Sequence, residues 1–253
     1  MPSRSPKRSS KRLKLVIAYD GARFVGWQRQ KDGRSVQETL EQIFRQLLGE
    51  KVQVTGAGRT DSGVHAEGQV AHADIRSPMP LQILQRGLNA LLPEEVLVRS
   101  VQAAPARFHA RYSARSKWYR YTLWNHPLRP LSERDRVHHV PAPLNLRAMK
   151  RAARLLEGRH DFRSFGSAGS TVSSTVRHLI KLSIRKDGEK ILIDAHADGF
   201  LYHMLRRICG FLLEVGKDRV SPKEIPLLLK GKSRWIPPTA PAKGLCLMEV
   251  RYG

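Results

Sequence analysis

The chain has 253 residues, 41% of them hydrophobic, which suffices for one large domain or two compact ones and excludes a disordered or fibrous protein. No stretch reaches the roughly 20 apolar residues of a membrane span, and Met1 to Arg12 lacks the apolar core of a signal peptide, so a cytoplasmic protein is expected. Lys and Arg number 45 against 22 Asp and Glu, a formal charge of +23; residues 1–12 hold five of these cations and no acid, which leaves +18 on the body. An excess of that size points to a polyanionic partner. Nucleic acid leads over an anionic membrane surface, because no long basic amphipathic helix with an aromatic face is present. The tail 1–12, made of Ser, Pro, Lys and Arg, reads as disordered. Cys209 and Cys246 stand alone, so there is no disulfide framework and no cysteine zinc site; each is expected to be a small buried hydrophobe.

The large apolar residues Leu13, Leu15, Ile17 and Tyr19 fall at every second position, the period of a half-buried strand. After the Asp32-Gly33 turn, Ser35 and Glu38 form a capping box, and Val36, Leu40, Ile43, Phe44, Leu47 and Leu48 draw one helical stripe that Gly49 stops. Strands are predicted over 52–55 and 70–75, on either side of the Gly-rich loop 56–63, then a helix over 81–92 and a strand over 96–103. The second half repeats the order. A strand over 117–124 precedes a helix over 146–157 capped by Asn145 and ended by Gly158; strands 175–185 and 190–197 form a hairpin across Asp187-Gly188. Leu201, Met204, Leu205, Ile208, Cys209, Leu212 and Leu213 then draw a helix ended by Gly216, a short helix starts at Ser221-Pro222, and a strand runs over 245–250.

Both halves therefore read β-α-β-β-α-β, the order of a ferredoxin-like unit. The expected fold is α+β: a tail 1–12, a ferredoxin-like half 13–103 and a second 104–253, their antiparallel sheets joined into one with helices behind and a basic cleft in front. Such folds host many activities, so function must come from particular residues.

The densest signal is the loop Gly56 to Ala66, where three glycines permit tight bends around one carboxylate, Asp61, flanked by Arg59 and small polar residues. Two readings stand: a tight turn in which Asp61 bonds its own backbone, or a carboxylate held for chemistry. The loop lacks the Gly-Lys-Ser/Thr ending of a phosphate-binding loop and precedes no helix as a dinucleotide site requires. In Lys117 to Trp124, Tyr119, Tyr121 and Leu123 share a face, suited equally to stacking on bases or to covering a core. Arg206 lies at the edge of the apolar stripe of its helix, either as a surface residue or as the partner of a carboxylate such as Asp61. The ten histidines never fall at zinc-binding spacings, and no carboxylate cluster suits a two-metal nuclease.

Together these motifs resemble one family, the tRNA pseudouridine synthases of the TruA type, from about Leu13 to Tyr252. Gly58 to Ala66 is similar to the family's catalytic loop, Phe108 to Ala114 to its RNA-contacting segment, Lys117 to Tyr121 to its tyrosine motif and Gly199 to Arg206 to the segment of its active-site arginine. Asp161 to Phe165 and Gly244 to Leu247 also look like family segments. Lys117 stands where many members have Arg and Leu205 where Val is common; neither change removes a functional group.

The resemblance implies isomerisation of uridine to pseudouridine in tRNA, at positions thirty-eight to forty on the 3′ side of the anticodon arm, without metal or other cofactor, in a cytoplasmic homodimer that binds tRNA and no membrane. It assigns catalysis to Asp61, Tyr119 and Arg206, with Arg206 holding Asp61 by a two-pronged ion pair and Tyr119 stacking on a uracil flipped from its helix. Substrate contacts are carried over to Arg59, Tyr119, His65, Phe108, His109, Arg111 and Tyr112, with Arg59 bracing the vacated stack. The rival readings are a noncatalytic RNA-binding or chaperone protein on the same basic sheet, and a metal-free RNA-cleaving enzyme using His65 or His109. From the charge alone, affinity for tRNA should fall steeply between low and physiological salt, because neutralised phosphates release condensed counterions, and deletion of residues 1–12 should lower the slope only modestly. A titration of binding against salt checks this.

Overall fold

The computed structural model describes residues 10–167 and 173–253. The first half contains strand β1 (Lys11–Tyr19), helix α1 (Val36–Leu48), β2 (Val54–Gly56), β3 (His65–Ile75), α2 (Leu81–Leu91) and β4 (Val96–Ala103). The second contains β5 (Ala114–Trp124), β6 (His138–His139), α3 (Leu146–Leu156), β7 (Gly158–Asp161), β8 (Val176–Asp187), β9 (Lys190–Ala197), α4 (Met204–Gly216), α5 (Ile225–Leu229) and β10 (Leu245–Tyr252). All ten strands join one sheet in the order β4-β1-β3-β10-β5-β9-β8-β7, with β2 added to β3 and β6 to β5. Within each half the order is that of a ferredoxin-like unit: β4-β1-β3-β2, and β10-β5-β9-β8. The ladders are antiparallel except β5 with β6 and β3 with β10.

The helices begin and end where local chemistry dictates. Ser35 Oγ accepts the Glu38 amide at the start of α1, and Gly49, at φ 68°, ends it in the left-handed region that a side chain disfavours. Asn145 caps α3 by accepting from the Ala148 amide. One face of the sheet then takes all four long helices. Leu13, Leu15, Ile17 and Tyr19 of β1 are buried beneath Val36, Leu40 and Phe44 of α1 and Leu84 and Leu88 of α2. Tyr121, Leu123, Ile191 and Ile193 lie beneath Met149, Ala153, Ile208 and Leu212 of α3 and α4. Each large side chain so covered contributes about 1.5–3 kcal/mol.

On the opposite face Arg120 binds Asp194 through Nε and Nη2 at 2.8 and 3.1 Å, and Trp118 Nε1 donates to the same carboxylate at 2.8 Å. The segment joining β4 to β5 crosses this face: the Ala110 amide donates to His72 Nδ1, and Phe108 packs on Tyr252.

The two halves meet where β10 lies parallel to β3 over two residue pairs, Cys246 with His65 and Leu247 with Ala66. This approach needs Gly68, since a Cβ there would sit 2.3 Å from the carbonyl oxygen of Met248.

Some boundaries differ from the sequence pattern. Lys11 and Arg12, expected in the tail, belong to β1; Arg12 pairs with Asp74 at 2.6 Å and donates to the carbonyls of Ala106 and Phe108. Residues 1–9 of the expected tail lie outside the described residues. Strand β3 starts at His65 rather than Val70, because Glu67 and Gly68 interrupt the apolar alternation while partners from β1 and β10 complete the pairing. Strands β6 and β7, two and four residues long, carry no alternation to reveal them.

Gly68→Ala should force β10 away from β3 and lower the unfolding free energy by about 1–3 kcal/mol, the usual cost of overpacking. The urea midpoint measures it.

Candidate active site

The loop between β2 and β3 is built before its side chains act. The Ala57 amide donates to Val70 O, Gln69 Nε2 to Gly58 O, the Trp27 amide to Thr60 O and the Gly63 amide to Phe24 O. Tyr19, buried in β1, shares a 2.8 Å hydrogen bond between its hydroxyl and Thr60 Oγ1. Lys117 Nζ reaches across from β5 and donates to Ala57 O at 2.8 Å. With these bonds made, the loop backbone no longer needs the Asp61 side chain. The tight turn closes instead through the Val64 amide and the Asp61 carbonyl.

Asp61 Oδ2 points across to α4, where Arg206 Nη1 meets it at 2.9 Å. Arg206 and Asp61 stand 145 residues apart in sequence, and their side chains are 16% and 20% exposed, dry enough to strengthen the attraction yet open to a ligand. The ion pair is one-pronged, not two-pronged as expected: Arg206 Nε donates to the Ala240 carbonyl at 2.8 Å, and the Ala240 amide returns a bond to Arg206 O. Gly210, one turn further along α4, lets this stretch close in, since a Cβ there would lie 1.9 Å from Pro238 O. The alternative in which Asp61 bonds its own turn is set aside by this geometry, as is a surface position for Arg206.

Tyr119 lies on the same face of β5 as Tyr121 and Leu123, 8% exposed, with its ring edge-on to Phe200 at 5.1 Å. Burial, with Tyr19 and Asp61 nearby, raises its pKa well above the ordinary tyrosine value, so the hydroxyl keeps its proton. Asp61, Arg206 and Tyr119 thus meet on the face that carries the helices, in the gap between the α1–α2 and α3–α4 pairs. The loop lies on the face to which Tyr19 and Gln69 anchor it.

The other expected contacts are dispersed. Arg59 is exposed on the loop itself. Arg111 and Tyr112 are exposed, and Phe108 and His109 are half-buried beneath them, with His109 Nδ1 accepting the amides of Arg111 and Tyr112. His65 is a correction: it is 2% exposed, accepts from the Gly21 amide and bonds the Asp135 carbonyl, so both ring nitrogens are spent on the scaffold and none faces a substrate. Two residues of the site were given no site role from sequence. Lys117 places its Nζ under Gly58, and desolvation together with Arg111 and Arg177 pulls its pKa down to about 8. His203 lies beside Asp61, with Nε2 3.4 Å from Oδ2. Its spacing of three before Arg206, one helical turn, was the available signal.

A model of the tRNA pseudouridine synthase family matches residues 15–113 and 152–253. The chain belongs to that family. tRNA pseudouridine synthase A of Syntrophotalea carbinolica is 44% identical over 244 residues, spanning 95% of this chain and 96% of that protein. The protein of the same name from Moorella thermoacetica is 44% identical over 244 residues, covering 95% and 99%, and that from Geobacillus kaustophilus 43% over 245, covering 96% and 95%. Among the described residues no group of three or more His, Cys, Asp or Glu could hold a metal ion, and no helix is long and apolar enough to cross a membrane.

Lys117 supplies a pH test. Its folded pKa of about 8 lies below the usual 10.5, so between these values the unfolded chain binds more protons and stability rises with pH. The stability of wild type relative to Lys117→Met should therefore improve as pH rises from 8 to 10.5 and stay flat below 7. Chemical denaturation of both proteins across that range measures the difference.

Proposed function

We propose that Asp61 is the catalytic carboxylate of this tRNA pseudouridine synthase, with Arg206 as its counterion and Tyr119 beneath the flipped base, acting on uridines thirty-eight to forty of the anticodon arm. The family supplies the reaction: uridine in tRNA becomes pseudouridine, the C1′–N1 bond breaking and C1′–C5 forming at constant oxidation level, so neither a redox cofactor nor an energy source enters the balance.

One observation carries the assignment of Asp61. Its carboxylate turns away from a loop whose backbone is otherwise satisfied and meets Arg206 in the gap between the helix pairs. An ionised carboxylate fixed there can add to the base or sugar, stabilise positive charge developing at C1′, or take a proton from the sugar. Arg206, pinned at its other end by the Ala240 carbonyl, keeps the carboxylate aimed. Tyr119 offers an apolar ring face and a hydroxyl that retains its proton at neutral pH.

Flipping the uridine costs a few kcal/mol, which phosphate contacts and stacking offset. Arg59, exposed two residues before Asp61, is suited to filling the space the base leaves. Arg111 and Tyr112, supported by Phe108 and His109, suit phosphate and base contacts further along the RNA. A cytoplasmic homodimer in which one tRNA touches both subunits completes the reading.

The test is incubation with unmodified tRNA transcripts and mapping of pseudouridine at single-nucleotide resolution. Wild type should modify positions thirty-eight to forty. Asp61→Asn, which keeps size but removes the charge, should lower turnover by about 10³-fold or more while tRNA affinity stays within about threefold, because the phosphate contacts are elsewhere. Near wild-type turnover in folded Asp61→Asn overturns the assignment, and pseudouridine at other sites overturns the positional reading. Tyr119→Phe should bind RNA as wild type but lose about 100-fold in turnover, the usual scale of one proton-transfer group, measured under single-turnover conditions.

A further inference from the structure

A second donor faces the carboxylate that Arg206 holds. His203 Nε2 lies 3.4 Å from Asp61 Oδ2, and its Nδ1 lies 3.0 Å from Ser167 Oγ. Ser167 is itself fixed, because its amide donates to the Tyr202 carbonyl, and Arg207 Nη1 donates to the carbonyl of the preceding Gly166 at 2.6 Å. The backbone of His203 takes φ 61°, the left-handed region, just before the first residue of α4; among the described non-glycine residues Asp218 is the other with positive φ. Strain of that kind persists where the surroundings over-determine it, and here it aims the ring between Ser167 and Asp61.

The geometry points to His203 as a positioning residue for Asp61, a neutral imidazole that donates from Nε2 to the carboxylate and accepts at Nδ1 from the Ser167 hydroxyl. The proton count requires this arrangement. An ionised carboxylate only accepts, so the single ring proton of a neutral imidazole must sit on Nε2; Nδ1 is then bare, and the Ser167 hydroxyl is the group that can donate to it. The groups facing the ring are Asp61 from the loop, Arg206 and Arg207 from α4, Ser167, and the ring of Tyr202 stacked at 3.8 Å. Burial and the two arginines hold the imidazole below the ordinary histidine pKa, against the pull of Asp61. Arg206 Nη1 and His203 Nε2 both approach Oδ2, at 2.9 and 3.4 Å, so the ring is placed to limit the swing of that oxygen.

This inference rests on Asp61 being the catalytic carboxylate. Its test uses two amides: in His203→Gln the side-chain nitrogen reaches where Nε2 was, whereas in His203→Asn the shorter amide reaches Ser167 but not Asp61, and Asn tolerates the left-handed backbone. On a prefolded anticodon stem-loop, His203→Asn should lower the single-turnover rate about 10- to 100-fold at unchanged affinity, the scale expected of a misplaced reacting group. His203→Gln should recover most of the rate. Independently of activity, the His203 imidazole followed by NMR should be the Nε2–H tautomer in wild type, and its pKa should fall in Asp61→Asn, where the neighbouring anion is gone.

A wild-type rate in His203→Asn would overturn the proposal. So would equal losses in both amide variants that track the folded fraction, or a His203 pKa unmoved by Asp61→Asn. Full activity in Asp61→Asn overturns the reading beneath it instead, whereas an active wild type, an inactive Asp61→Asn and an unaffected His203→Asn overturn the His203 role alone.

Discussion

Everything at the site depends on how closely β10 lies against β3. Two parallel residue pairs join the halves into one sheet, and they occur at His65 and Ala66, immediately after the loop that carries Asp61. The first half alone has the carboxylate; the second alone has Arg206, Tyr119 and His203. A seam displaced by one residue would turn Tyr119 to the other face of the sheet, because side chains alternate along a strand. Gly68 is the local condition for the seam, since a side chain there would collide with the β10 backbone.

The seam also decides where the chemistry lies. Each half covers one face of its strands with two helices, and the sheet between the two pairs, at β3, β10 and β5, lies beneath the loop that carries Asp61 instead. The ion pair in this gap is partly dry. Low dielectric strengthens the Asp61–Arg206 attraction, and the same dryness makes an unpaired carboxylate expensive, so the partner has to be built in. Arg206 is held at both ends, by Asp61 and by the Ala240 carbonyl. An arginine fixed in this way loses little further entropy when substrate arrives, which is the sense in which the site is preorganised.

A formal charge of +23 surrounds a site built on one carboxylate and its arginine. Cations in such excess attract a phosphate backbone from a distance and without regard to sequence. The Lys117 ammonium donates to the Ala57 carbonyl at the root of the loop, so this cation braces the turn that carries Asp61.

Most of the architecture was legible in the chain. Capping chemistry at Ser35 and Asn145, stop signals at Gly49 and Gly216, and alternation in β1, β4, β5 and β9 are local properties, and local physics sets them. The same holds for the composition of the Gly56 to Ala66 loop, and the family resemblance rested on such short contiguous motifs. What the chain could not disclose is which of two locally sensible roles a residue takes. Asp61 suited a turn as well as a reaction, and only bonds from Phe24, Trp27, Val70 and Lys117 to the loop backbone release its side chain for Arg206. His65 sits inside the motif that carries Asp61, yet its partners Gly21 and Asp135 come from remote segments and make it part of the scaffold. His203 lay unmarked in a recognised segment, because its meaning depends on a left-handed backbone and on Ser167, 36 residues away. Sequence sets periodicity, caps and charge because these act over a few residues; the site was decided by contacts between segments up to 145 residues apart, which exist only once the two half-sheets have joined.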